Sequence, residues 1–122
     1  MAALPPAWRT GIPFAVIGSV SIVAGGLVAA VSRPVGFDEG SWVAAFLVLV
    51  VGVAQLLLGV GQAALVSEPP TRLTSTAELV LWNAGCALTI VGTLAATPVL
   101  TTIGGVMVVA ALVVFLRSVF VL

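Results

Sequence analysis

The chain has 122 residues, of which 61% are hydrophobic and only 7% charged, with four basic and four acidic side chains, no histidine and a mean hydropathy of +1.35. A soluble domain is about 45–50% apolar, so this composition excludes one and gives an integral membrane protein. Apolar runs fill nearly the whole length, which leaves no soluble unit to house catalysis or nucleic-acid binding.

A membrane span needs about 20 mostly apolar residues. Four runs meet this, residues 12–31, 42–66, 77–96 and 98–116. They predict an all-α membrane protein, an antiparallel four-transmembrane-helix bundle with short loops, forming a single integral membrane domain over residues 1–122.

The first run is longer than the roughly 7–15 apolar residues of a signal peptide, so we read it as a true span. Within it Gly11, Gly18 and Gly25 recur every seven residues, with Ala15, Ser21 and Ala29 completing a stripe. In lipid, helices associate through small residues that let backbones approach and through a few polar contacts. A seven-residue repeat keeps one face toward a partner in a left-handed crossing. The glycines are therefore expected to mark helix packing, toward either the bundle's interior or another molecule.

The loop at residues 32–41 carries Arg33, Asp38 and Glu39. The two acids precede Gly40-Ser41 and are expected to favour the start of the second helix through its dipole. The second span repeats the pattern with Gly52 and Gly59, interleaved with Gln55 and Gln62 one heptad apart. Amides this deep in an apolar run need hydrogen-bonding partners. The expected role is a clamp between helices; the alternative is the lining of a polar path or small-ligand pocket.

The third span opens on "STAELVLWNAG". Ser75 and Glu78 have the S-x-x-E spacing of a capping box, with Pro69-Pro70 opposing an earlier start. Glu78 is then expected about 4.5 Å inside the helix, capping it and pairing with Arg72 or with Arg117 at the end of the fourth span; a ligand or proton role is the alternative. Glu78, Trp82, Gly85, Thr89, Gly92 and Ala96 share one stripe, so Glu78 is expected to face protein, with Asn83, Cys86 and Thr93 beside it. Asn83, Thr89 and Thr93 join Gln55 and Gln62 as candidates for the helix clamp or polar path. Cys86 has no partner for an intrachain disulfide and no basic neighbour in sequence to activate it. "GSVSIVAGGLVAA" from Gly18 aligns with "GCALTIVGTLAAT" from Gly85, a faint parallel repeat of two spans plus two.

A hinge at Thr97-Pro98 leads into the fourth span, which ends near Arg117. Arg9, Arg72 and Arg117 fall on one side of the membrane and Arg33 on the other, so the positive-inside rule puts both termini and the 67–76 loop in the cytoplasm. Trp8 and Trp42 are expected at opposite interfaces. A Val/Ala/Gly-rich chain with Arg as its only base suggests a bacterial cytoplasmic membrane.

The length and span count are similar to those of small multidrug transporters, whose pattern includes an acidic residue in the first span; this first span has none past Arg9. "LTIVGTL" is similar to spans of haem–copper oxidase-like proteins, without their haem-ligating histidines. Neither family is adopted. Without histidine, and with Cys86 alone, no metal or haem site of ordinary ligand composition is expected, and no cofactor. No nucleophile is paired with a base, so no enzyme is expected, and no basic tract offers a site for nucleic acid.

The expected function is that of a small non-enzymatic membrane protein, an accessory or assembly subunit. Its partners would be membrane lipids and either another membrane protein or further copies of itself. The alternatives are a small permease or channel lined by Gln55 and Gln62, and a lipid-binding membrane protein.

Overall fold

In the computed structural model the described residues, 6–66 and 70–120, form four long helices and no strand. These are α1 (Pro6–Val35), α2 (Gly40–Leu65), α3 (Arg72–Leu94) and α4 (Pro98–Phe120), each long and apolar enough to cross a membrane. A lipid interior supplies no partner for a free backbone amide or carbonyl, so each spanning segment must satisfy them within its own helix. The chain is an all-α membrane protein, a four-helix bundle.

The helices outrun the apolar segments at several ends. The first begins at Pro6 and continues to Val35, and the third begins at Arg72 rather than near residue 77. Apolar content marks what must be buried in lipid, while local backbone chemistry decides where a helix stops. At the end of α1, Gly36 takes φ +71, Gly36 N–H donates to Arg33 O at 3.1 Å and Phe37 N–H to Ser32 O at 2.8 Å. This is a Schellman cap, which favours glycine in the left-handed position. The end of α3 is built the same way, with Ala96 at φ 52, Ala96 N–H donating to Thr93 O at 3.2 Å and Thr97 N–H to Gly92 O at 2.8 Å. Pro98 then opens α4, where its missing N–H costs nothing.

Contacts pair α1 with α2 and α3 with α4 as two hairpins. Backbones meet at glycines. A Cβ on Gly18 would lie 2.8 Å from Gly52 O, one on Gly11 2.9 Å from Gly59 O, and one on Gly85 2.8 Å from Gly104 O. Gly25 sits against Ala44 and Val48 of α2, and Gly92 against Thr101 of α4. Rising numbers on one helix meet falling numbers on the other, so each hairpin is antiparallel.

The middle of α2 is wound as a π-helix over Leu47–Ala54, between α-helical Gly40–Phe46 and Gln55–Leu65. The buried core joins the hairpins around Phe14, Val51, Leu58, Trp82, Cys86 and Ala111. Outward, α1 and α4 present large exposed apolar side chains such as Val20, Val23, Leu27, Val106, Val109 and Val113, as lipid-facing helices do.

Candidate functional site

The site lies on the seam between α2 and α3, where the hairpins meet through side chains rather than backbones. Two polar crossings occur there, one formed by Gln55 and Asn83 and the other by Gln62 and Glu78. From the first to the second the chain steps forward seven residues on α2 and back five on α3, the opposite senses expected of antiparallel neighbours.

The first crossing is closed. Gln55 Nε2 donates to Asn83 Oδ1 at 3.1 Å and Asn83 Nδ2 donates to Gln55 Oε1 at 2.7 Å. Each amide also donates to its own helix, Gln55 to Val51 O and Asn83 to Leu79 O, both at 2.8 Å. Gln55 is wholly buried, and both side chains use donors and acceptors alike. At the adjacent residue on α3, Trp82 Nε1 donates to Val50 O at 3.3 Å. Val50 and Val51 both belong to the π-wound stretch. Its wider turns alter the regular backbone pairing, and these two carbonyls accept from side chains.

The second crossing is open. Gln62 Nε2 lies 2.5 Å from both Glu78 Oε1 and Glu78 Oε2. Glu78 is 2% exposed and Gln62 1% exposed. Gln62 Oε1 is buried with no hydrogen-bond partner among the described residues. Buried polar atoms are nearly always satisfied, so this orphan acceptor beside a carboxyl group sets the second crossing apart. Chemically, the pair can accept a donor such as a proton or a small cation.

The start of α3 differs from the capping-box expectation. Thr71 is the N-cap, its Oγ1 accepting from Thr74 N–H at 3.1 Å. Ser75 therefore lies inside the first turns, and its own N–H donates to Thr71 O at 2.9 Å. Pro69 lies outside the described residues. Only Pro70 borders the helix, and it leaves Thr71 free to cap one turn earlier than the apolar pattern suggests. Glu78 is consequently seven residues beyond the cap, roughly 10 Å of helical rise instead of an interfacial 4.5 Å. At that depth its partner is Gln62, not an arginine: Arg72 and Arg117 are both exposed, and neither is bonded to Glu78.

The threonines stand apart from this seam. Thr89 Oγ1 donates to Gly85 O at 2.8 Å in its own helix and packs on Gly104 of α4. Thr93 is exposed in a shallow groove at the far end with Thr97, Thr101 and Thr102. The structure thus brings together Gln55, Asn83, Gln62 and Glu78, but not Thr89 or Thr93. Cys86 is a free, buried thiol in the core cluster. Among the described residues no group of three or more His, Cys, Asp or Glu side chains is placed to hold a metal ion.

Sequence reasoning missed the π-wound segment, the Trp82 contact and the pairing of Gln62 with Glu78. Their positions on either side of the shared loop were the available signal for the last, since Gln62 lies three residues before the end of α2 and Glu78 six residues after the start of α3. No protein-family model matches the chain, and no curated protein or solved structure matches it either.

Proposed function

We propose that the protein is a small non-enzymatic accessory or assembly subunit of the membrane, packing against a larger membrane complex or further copies of itself. On this reading it resides in a bacterial cytoplasmic membrane with both termini in the cytoplasm. The observation that supports it is the distribution of polarity. The amides of Gln55, Gln62 and Asn83 turn inward and bond across the hairpin seam. The outer faces keep apolar side chains and two glycines, Gly26 and Gly105, where an added Cβ would meet nothing within 4 Å. Small residues facing outward permit close helix approach in lipid. The test is mild extraction of tagged protein at native expression, followed by native mass determination. A stoichiometric foreign subunit or a defined oligomer is the expected result, and a lone monomer with lipid overturns it.

A second reading is a small permease or channel whose path includes Gln55 and Gln62. It is favoured by the orphan acceptor at Gln62, the kind of buried polar vacancy a transported ion or proton uses. Flux in reconstituted vesicles that is lost in Gln62→Leu supports that reading over the first.

A further inference from the structure

Together, Gln62 and Glu78 have an unbalanced set of donors and acceptors. A carboxylate offers about four lone-pair sites and no donor. At this crossing one amide nitrogen serves both of its oxygens, while the amide oxygen beside it accepts from nothing. The crossing therefore has a surplus of acceptors. Both side chains are nine-tenths buried or more.

We propose that Gln62 and Glu78 form a binding site for a single proton. Protonated Glu78 donates its O–H to Gln62 Oε1, while Gln62 Nε2 donates to the other carboxyl oxygen. The two planar groups then face each other in a closed ring with one donor and one acceptor on each side. The terminal torsion of glutamine is broad, so a rotation of the amide in place converts the observed side-on contact into this ring. The single added proton satisfies the orphan acceptor and removes the charge. A divalent cation fits the donor set less well, since calcium takes six to eight oxygens and the crossing offers three, one of them neutral.

The exchange is a proton transfer with water that reaches the buried pair from the membrane face near the start of α3. Hydronium gives its proton to a Glu78 oxygen, an O–H bond forms and water leaves; release runs the same step backward. No charged side chain faces the pair from α2, which has none. Among the described residues, the charged ones at this end are Arg9 on α1, Arg72 on α3 itself and Arg117 on α4. Proton binding switches the seam between a neutral ring and a charged contact, which makes the joint between the hairpins responsive to protons. This inference stands whether the protein works as a subunit or as a permease.

Infrared difference spectroscopy on the full chain in liposomes tests it. At neutral pH the wild type is expected to show a protonated-carboxyl C=O band that is lost in Glu78→Gln and shifted to higher frequency in Gln62→Leu. Glu78→Gln places an amide opposite an amide, the arrangement Gln55 and Asn83 already adopt, and is expected to fold. Should it fail, a Glu39→Gln, Glu68→Gln chain has Glu78 as its single glutamate, and carboxyl-13C glutamate labelling must shift the band. Absence of the band, or a band that survives Glu78→Gln or ignores the label, overturns the proposal. So does suppression of the band when potassium is replaced by sodium at fixed pH, which assigns the site to a metal cation. Unchanged spectra between the two salts support the proton.

Discussion

The two hairpins are built to one plan and differ at one level of it. Each turns on a left-handed residue just past its first helix, Gly36 one position beyond Val35 and Ala96 two beyond Leu94. Each packs backbone on backbone at glycines, Gly18 on Gly52 and Gly85 on Gly104. In the sequence alignment of their first helices, Gly11, Gly18 and Gly25 correspond to Glu78, Gly85 and Gly92. Where Gly11 lies against Gly59 within its own hairpin, Glu78 instead reaches Gln62 of the other hairpin. Backbone contacts within a hairpin thus rest on the absence of side chains, and contacts between hairpins on side chains, apolar in the core and polar at the two crossings. The difference teaches that this fold has two kinds of joint, with different tolerance of change.

The largest expected effect comes from breaking a joint of the first kind. A Cβ at Gly104 would stand 2.5 Å from Gly85 O and 2.5 Å from Thr89 Oγ1. A backbone carbonyl cannot move aside as a flexible side-chain tip can. Overpacking typically costs about 1–3 kcal/mol and sometimes more, so Gly104→Val is expected to lie at or beyond the top of that range. Thermal unfolding in nanodiscs measures it, and a drop no larger than that of Gly105→Val, where there is open space, would remove the distinction between packed and outward glycines.

Next in size is Gln62→Leu, which removes the partner that holds both oxygens of Glu78. Leaving a buried polar group unsatisfied costs about 1–3 kcal/mol. The sharper observation is its reversal: Gln62→Leu combined with Glu78→Leu should recover much of the loss, because two apolar groups have no bond to miss. Equal instability of the single and double variants, in the same unfolding assay, would show that the crossing acts through packing alone.

How much of this was legible in the sequence follows from the same division. Span number follows from composition, because a lipid interior demands long apolar helices, whereas seven-residue spacing left open whether the glycines face the bundle's interior or another molecule. The inward direction of Gln55 and Asn83 was legible because an unpaired amide is costly in an apolar helix. The partner of Glu78 was not. Its depth depends on where α3 begins, and that is set by the Thr71 hydroxyl capping Thr74 N–H instead of by the S-x-x-E spacing at Ser75. One turn of error there moved Glu78 from the arginines at the surface to an amide inside. The π-wound Leu47–Ala54 left no sign in a run of Leu, Val, Gly and Ala, since these residues fit an α-helix equally well.

The closed crossing should be the milder one to break. Interhelical hydrogen bonds in membranes average roughly 0.6 kcal/mol, and Gln55→Leu removes a reciprocal pair of them while leaving Asn83 bonded to Leu79 O. A loss of about 1 kcal/mol is expected, below that of Gln62→Leu. The reverse order would mean that the satisfied crossing, rather than the open one, carries the seam.

The smallest effect tests the turns, and it is a gain. Ala96 holds φ 52 at the position Gly36 holds in the other hairpin with φ +71. The left-handed conformation costs an L-residue about 1–2 kcal/mol, through the crowding of Cβ against the following carbonyl. Glycine escapes that cost but gives back part of the gain through the freedom it adds to the unfolded chain. Ala96→Gly is therefore expected to stabilise the protein by roughly 0.5–1 kcal/mol, and Gly36→Ala to destabilise it by a similar amount. Paired melting curves would show the two shifts as mirror images. A fall in stability with Ala96→Gly would mean that the Ala96 methyl, exposed at the end of α3, contributes more than the backbone it strains.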